Sequence, residues 1–283
     1  AAAAAAAAVV ATGLGPAAAP PKEVASRVLV DDLFVERSGT DVEHIVALKT
    51  FEDLSQQFRI PAWLHINLSH CCYDQPSLAQ QHVIPCGLIG RDVVLISPPG
   101  SGKTAAYLIP LLVSLPEQHC SATSSEKCAS AATPRGLILT PTREVCAQVQ
   151  HEAHRLCRGS PFQLLMACGT NENDNDGRDQ VGPGVSSIGH ICVADLGCFL
   201  DHFQCRRISL EAVCFLVLDD VDVLLDMGFE GQVRKLVSGM PSSQTRQTMF
   251  FAGALRPAMQ ALAADLLYDS VQIHVGLGCP DTQ

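Results

Sequence analysis

A glycine-rich loop between a predicted strand and a predicted helix constrains this chain more than any other feature. Residues 97–104 read Ser-Pro-Pro-Gly-Ser-Gly-Lys-Thr, and they lie between the apolar run 93–96 and the helix-like pattern 105–109. Such a loop presents backbone N–H groups to phosphate oxygens at a helix N-terminus, where the helix dipole also favours negative charge. In this pattern the Lys103 amine neutralises the β- and γ-phosphates and the Thr104 hydroxyl ligates Mg²⁺. The sequence therefore predicts a site for a nucleoside triphosphate with Mg²⁺.

Apolar segments typical of buried strands alternate with helix-like segments along the rest of the chain. Predicted strands cover residues 136–140, 162–167, 190–194, 213–218, 248–252 and 271–275, and predicted helices cover 144–157, 196–203 and 257–267. Near-continuous apolar strands that alternate with helices indicate a parallel sheet covered on both faces. We therefore expect an α/β fold with a mostly parallel sheet and helices on both sides.

Charge and cysteine content limit the possible partners and compartments. The 283 residues include 19 Lys and Arg against 29 Asp and Glu, which gives a formal net charge of −10. Because non-specific affinity for nucleic acid comes largely from Lys and Arg, binding to a polyanion requires a local site. No apolar run approaches the ~20 residues of a membrane span, so we expect no membrane partner. The 13 cysteines include no C-x-x-C pair, which favours reduced thiols in an intracellular protein of the cytoplasm or nucleus.

A second chemical signal is the acidic end of the predicted strand 213–218. Asp219 and Asp220 follow this apolar run directly. In a parallel sheet, this position places a carboxylate at the same edge as the phosphate loop. Asp219 then holds Mg²⁺ through water, and Asp220 polarises the attacking water in phosphoryl transfer. Alone, the two aspartates could form a solvated acidic turn, but the upstream loop favours the functional interpretation.

Several short motifs occur in a fixed order along the chain. They are Phe-Glu-Asp-Leu at 51–54, Pro-Ser-Leu-Ala-Gln at 76–80, Gly-Ser-Gly-Lys-Thr at 100–104, Pro-Thr-Arg-Glu at 141–144 and Asp-Asp-Val-Asp at 219–222. Together they resemble the N-terminal RecA-like domain of DEAD-box ATP-dependent RNA helicases. The segments 225–230 and 246–251 resemble the Vasa-type branch of that family. The resemblance extends from about Phe51 to Gly278, and it implies a lobe that couples ATP binding and hydrolysis to RNA binding and remodelling.

The resemblance also implies roles for individual residues. Gln80 would read the adenine edge, and Tyr73 would stack on the base, although Tyr73 could equally be an ordinary packed aromatic; Phe51 is a weaker match to a second aromatic of the family. The remaining implied nucleotide and catalytic residues are Gln75, Gly100, Ser101, Gly102, Lys103, Thr104, Asp219 and Asp220, with Thr104 and Asp219 on the metal. The residues implied to contact the RNA backbone, without regard to base sequence, are Pro141, Thr142, Arg143, Gly169 and Gly197.

Departures from the family pattern concentrate on RNA contact and on coupling. Asp220 replaces the usual Glu, which shortens the side chain by one methylene, and a ~1 Å displacement can cost ~10²-fold in rate. The family's Ser-Ala-Thr is Ala-Gly-Ala at 252–254, which removes two hydroxyls that would bind the acidic motif. The family's Thr-Pro-Gly-Arg begins here with Asp195, which we expect to face phosphate and repel it. Val223 occupies the position of a usual basic residue.

The resemblance suggests a simple domain organisation. Residues 1–30 are predicted to form a flexible Ala/Pro/Gly-rich leader, 31–278 a single ATP-binding RecA-like domain and 279–283 the start of a linker, with no second RecA-like domain in the chain. In the family the second lobe supplies arginine fingers, an effect worth ~10³–10⁵ in the rate of NTPases. We therefore expect a monomer that hydrolyses ATP weakly or not at all alone and that requires a second RecA-like lobe in cis or in trans.

Two other interpretations remain open from the sequence. The altered residues at 195, 220 and 252–254 fit a degenerate helicase-like module that binds nucleotide or protein with little or no turnover. An unrelated P-loop ATPase is also conceivable, but Gln80 and the motif at 141–144 would then be coincidences.

Overall fold

Nine strands form one sheet in the part of the chain that our computed structural model describes, which is residues 24–30, 33–115, 132–167 and 190–277. The strands are β1 (Val24–Val30), β2 (Leu33–Ser38), β3 (Val93–Ile96), β4 (Gly136–Thr140), β5 (Leu164–Ala167), β6 (Ile191–Asp195), β7 (Phe215–Leu218), β8 (Gln247–Ala252) and β9 (Val271–Leu277). Their order across the sheet is β1-β2-β9-β3-β8-β7-β4-β6-β5. From β9 to β5 every neighbouring pair is parallel, so the predicted α/β fold with a mostly parallel sheet is confirmed.

Helices cover both faces of the sheet. They are α1 (Phe51–Gln57), α2 (Ala62–His70), α3 (Leu78–Leu88), α4 (Lys103–Ser114), α5 (Arg143–Leu156), α6 (Leu196–Gln204), α7 (Val221–Asp226), α8 (Glu230–Ser238) and α9 (Pro257–Leu266), with a short 3₁₀ helix at Val42–His44. Alternate side chains of each strand point to opposite faces. Leu95 of β3 accordingly packs in one apolar core with α1 to α5, whereas Val94 packs in a second core with α6 to α9. None of these helices combines the length and the apolar character that crossing a bilayer requires.

An antiparallel pair of strands at one edge was not predicted. Strand β1 pairs antiparallel with β2, and β2 pairs antiparallel with β9. The predicted flexible leader extended to residue 30, so the strand Val24–Val30 corrects its last seven residues. The segment contains three valines, which have high β propensity, whereas the prediction relied on the Ala-, Gly- and Pro-rich composition of the preceding tract.

The parallel arrangement brings distant segments of the sequence together at one end of the sheet, where the parallel strands terminate. The phosphate loop follows β3, the acidic residues follow β7 and the Ala-Gly-Ala segment begins at the end of β8. Since β8 lies between β3 and β7, these three segments are neighbours. The segments after β4 and β6 lie next along the same end of the sheet, so the predicted RNA residues that follow these two strands are close to the acidic residues after β7.

A buried carboxylate connects three segments at the opposite end of the sheet, where the parallel strands begin. Asp92, just before β3, accepts hydrogen bonds from the backbone N–H of Thr248 at 2.6 Å and of Tyr268 at 2.8 Å. Its side chain is 3% exposed, and burial raises the pKa of this carboxyl to about 6. Asp92 thus joins the starts of β3 and β8 to the turn that leads into β9.

We predict that Asp92→Ala lowers the free energy of unfolding by about 2–4 kcal/mol, because two backbone N–H groups lose their acceptor and a buried group without a partner costs about 1–3 kcal/mol. The measurement is urea denaturation at neutral pH. The matched control is Asp265→Ala, which removes an exposed carboxylate 2.8 Å from Arg234 and is expected to cost at most about 1 kcal/mol. Equal losses in the two variants would contradict the role assigned to Asp92.

Candidate nucleotide site

The phosphate loop connects β3 to α4 through two glycines in the left-handed region. Gly100 has φ +76° and Gly102 has φ +83°, and Gly102 is the residue that caps the N-terminus of α4. Residues other than glycine rarely adopt φ values in this region. At Gly102 there is also no room, because an added Cβ would lie 2.5 Å from the Gln80 amide nitrogen. The loop conformation therefore requires glycine for two separate reasons.

The N-terminus of α3 supports this loop from the side. The Ser77 hydroxyl donates to the Ser101 carbonyl at 2.6 Å, and the Gln80 Nε2 donates to the Gly102 carbonyl at 3.1 Å. The Gln80 Oε1 accepts from the Ser77 backbone N–H at 3.0 Å, which completes a capping box. Gln80, predicted to read adenine, thus has one N–H and one lone pair left for a further partner. Ser77 was not predicted as a site residue, although the Ser-x-x-Gln spacing is the signature of such a cap.

Lys103 approaches the acidic end of β7 closely. The Lys103 amine lies 3.6 Å from the Asp220 Oδ1 and 3.5 Å from the Ser97 carbonyl. The side chains of Lys103 and Asp220 are 13% and 27% exposed, so the pair is partly shielded from water and remains accessible to a ligand. The lysine-bearing loop and the aspartate-tipped strand are therefore in direct contact.

Asp219 lies deeper than Asp220. Its Oδ2 accepts from the Tyr107 hydroxyl at 2.9 Å, and its Oδ1 accepts from the Asp220 backbone N–H at 3.1 Å. Burial, and next the neighbouring Asp220 charge, raise the pKa of Asp219 to about 6. Asp220 itself adopts φ +47°, an uncommon value for a residue with a side chain. Two adjacent carboxylates thus face the single ammonium group of Lys103.

The Ala-Gly-Ala segment still contacts the acidic motif despite its missing hydroxyls. The Asp222 Oδ2 accepts from the backbone N–H of Gly253 at 3.1 Å and of Ala254 at 3.2 Å. The hydroxyl hydrogen bonds that the family pattern implies cannot form here, and backbone N–H groups contact the carboxylate instead. The Asp222 Oδ1 is buried without a hydrogen-bond partner among the described residues, so the carboxylate is only half satisfied.

The predicted base-stacking aromatics lie in packed surroundings. The Tyr73 ring packs edge-on against Phe51 with centroids 5.4 Å apart, and its hydroxyl donates to Glu152 of α5. Burial and the Glu152 carboxylate raise the pKa of Tyr73 above its ordinary value. Phe51 is itself buried, whereas Gln75 is exposed between α2 and α3. These contacts favour the structural interpretation of Tyr73 over the base-stacking one.

The predicted RNA residues occupy the next part of the same edge. Thr142 caps α5 by accepting from the Val145 N–H at 3.4 Å, Pro141 beside it is buried and Arg143 is exposed. Gly197 is half-buried in the first turn of α6, and Gly169 lies outside the described residues.

Asp195 at the start of α6 does not project into solvent. Its carboxylate is 8% exposed, and its Oδ1 caps α6 by accepting from the Cys198 N–H at 2.9 Å. The expectation that this carboxylate faces phosphate is therefore wrong, because capping the helix turns it inward.

Two glycine substitutions distinguish backbone strain from steric collision in the phosphate loop. We predict that Gly100→Ala costs about 1–2 kcal/mol of stability, since a left-handed φ strains an L-residue and no atom lies within 4 Å of the new methyl group. Gly102→Ala should cost clearly more, because its methyl group collides with Gln80 and must displace the α3 contact. Urea denaturation measures both, and equal losses would contradict the described packing of α3 against the loop.

Comparison with known proteins agrees with this geometry. The family model for the DEAD/DEAH box helicase matches residues 77–262. "DEAD-box ATP-dependent RNA helicase 52A" of Oryza sativa subsp. japonica is 37% identical over 216 residues, which cover 74% of this chain and 35% of the relative. "Probable ATP-dependent RNA helicase ddx3" of Dictyostelium discoideum is 34% identical over 258 residues, which cover 87% of this chain and 34% of the relative. The chain thus spans about a third of the length of these relatives. The matched residues include the phosphate loop, the acidic strand end and the segment after β8, and the chain belongs to the DEAD/DEAH box helicase family.

Proposed function

We propose that this chain is the ATP-binding N-terminal lobe of an RNA helicase, in which ATP binding and hydrolysis are coupled to RNA binding and remodelling. The observation that carries the proposal is the approach of the Lys103 amine to the Asp220 carboxylate, 3.6 Å apart, beneath a glycine loop. The two relatives described above are named as ATP-dependent RNA helicases.

The phosphate loop would hold the triphosphate. Backbone N–H groups of Gly100, Ser101 and Gly102 lie at the N-terminus of α4, where anions bind favourably. Lys103 would exchange its contact with Asp220 for the β- and γ-phosphates. On the base side, the free hydrogen-bonding capacity of Gln80 and the exposed amide of Gln75 support contacts to adenine, and Tyr73 is the weaker candidate.

The donor set of the crevice fits Mg²⁺. Thr104 offers a hydroxyl and Asp219 a carboxylate, and hard divalent cations prefer oxygen ligands. Two carboxylates against one ammonium group also leave negative charge for a cation to compensate. Thr104 and Asp219, the latter through water, would hold the ion, which supplies neutralisation of phosphate charge when bound. Asp220, partly exposed at the entrance, is the candidate to polarise the attacking water.

RNA would bind along the C-terminal ends of the neighbouring strands β4 and β6. Pro141, Thr142, Arg143 and Gly197 follow β4 and β6, and Gly169 follows β5 in the sequence. Helix N-termini at these positions suit phosphate contacts that carry no base specificity. We propose 31–278 as the domain, with β1 attached to its edge, and a second RecA-like lobe as the partner that completes the site. All nine cysteines of the described residues are free thiols, which supports an intracellular location, and we propose that the chain is a monomer.

A binding module without turnover is less favoured. An acidic motif detached from the phosphate loop and from the segment after β8 would have favoured it. Instead, Lys103 approaches Asp220, and Asp222 accepts two backbone hydrogen bonds from residues 253 and 254.

We predict that Lys103→Ala weakens ATP binding by about 10–150-fold, because a hydrogen bond to a charged group is worth about 1.5–3 kcal/mol. Titration of a fluorescent ATP analogue in the presence of Mg²⁺ measures the affinity. Lys235→Ala, which removes an exposed lysine of α8, is the matched control and should leave the affinity unchanged. Unchanged binding in Lys103→Ala would refute the nucleotide site.

For the RNA edge, we predict that Arg143→Ala weakens binding of single-stranded RNA equally for all sequences. The slope of log affinity against log salt should fall by about 1, because one phosphate contact is lost. Arg207→Ala, an exposed arginine beyond the far end of α6, serves as the control. Fluorescence anisotropy with ATP and Mg²⁺ present measures both variants, and identical salt slopes would exclude Arg143 from the RNA site.

A further inference from the structure

We propose that Tyr107 is a positioning residue that holds the carboxylate of Asp219, an oxygen ligand of the proposed metal site, through a buried hydroxyl. This inference rests on the proposed function, since it concerns the same site. It assigns a task to a residue that no motif of the sequence singled out.

Tyr107 is held on the Thr104 face of α4 by helix geometry and by packing. It lies three residues after Thr104 on α4, and residues three apart share one face of a helix. Its side chain is fully buried, and its ring packs edge-on against Phe251 of β8 with centroids 4.9 Å apart. The ring therefore has little freedom, and the hydroxyl has a defined position.

The Tyr107 hydroxyl contacts the Asp219 carboxylate directly. It donates its proton to the Asp219 Oδ2 at 2.9 Å. Because the Tyr107 side chain is fully buried, this hydrogen bond is shielded from water.

This contact determines what Asp219 presents to a cation. Asp219 receives one donor on each oxygen, Tyr107 on Oδ2 and the Asp220 backbone N–H on Oδ1. The carboxylate is thereby fixed in orientation, while the second lone pair of each oxygen remains available.

Packing alone does not explain a hydroxyl in this position. A phenylalanine would fill the same space against Phe251 without burying a polar group, and burying a hydroxyl costs free energy unless it is hydrogen-bonded. The partner of this hydroxyl, Asp219, is a proposed metal ligand. The contact thus indicates that the hydroxyl orients this ligand, in the way that outer partners of ligands tune metal sites.

Tyr107→Phe tests the proposal, because it removes the hydroxyl and keeps the ring. A fluorescent ATP analogue is titrated in EDTA, and its binding is then followed as the Mg²⁺ concentration increases. We expect an affinity in EDTA within about twofold of the wild type and a Mg²⁺ midpoint about 10–100-fold higher, the usual cost of losing a partner of a metal ligand. An unchanged Mg²⁺ midpoint would overturn the proposal. Tyr268→Phe is the control and should leave the Mg²⁺ midpoint unchanged. Tyr268 lies beside Asp92, at the end of the sheet where the parallel strands begin, and it is largely exposed.

A double-mutant cycle guards against a general loss of structure. If Tyr107 acts through Asp219, its substitution should change the Mg²⁺ midpoint little once Asp219→Asn is present, whereas additive effects would overturn the proposal. Urea denaturation of each variant reports any loss of stability separately. A wild-type chain that binds no ATP would instead refute the proposed function, so the two failures are distinguishable.

Discussion

Lys103 and Asp220 carry opposite charges, and the sheet brings them to 3.6 Å across a crevice although they are far apart in the sequence. Strands β3 and β7 lie on either side of β8, so the residues that follow these two strands meet at the same end of the sheet. In a low-dielectric cleft, such a pair is costly to separate unless another charge replaces each partner. A magnesium triphosphate provides both replacements, an anion for the lysine and a cation for the aspartates.

Supporting contacts around this pair come from three directions. Helix α3 supports the loop through Ser77 and Gln80, and α4 supplies Tyr107 beneath Asp219. Asp222 connects the acidic turn to the segment after β8 through backbone N–H groups. A backbone donor persists whatever side chain is present, so the replacement of two hydroxyls by Ala-Gly-Ala weakens this connection without abolishing it. The half-satisfied Asp222 shows where a hydroxyl would add most.

Sequence patterns predicted the parallel sheet because each of its strands is a short apolar run bounded by helix or turn signals. They predicted the loop and the acidic strand end because glycine, lysine and aspartate at those spacings have few other uses. Tyr107 and Ser77 could not be assigned in the same way, since their roles depend on hydrogen bonds to residues distant in the sequence. The inward turn of Asp195 was missed for a related reason, because a carboxylate at a helix start can either cap the helix or face a ligand. The edge strand β1 escaped prediction because its pairing is with β2, outside the motif-bearing region.

The most direct test is a crystal structure of the chain with a non-hydrolysable ATP analogue and Mn²⁺, in which anomalous scattering locates the metal. We predict triphosphate density within residues 97–104, the Lys103 amine moved from Asp220 to phosphate oxygens, and the metal beside Thr104 and Asp219. Nucleotide bound elsewhere, or a metal peak remote from Asp219 while Lys103 keeps its contact with Asp220, would contradict the proposed site.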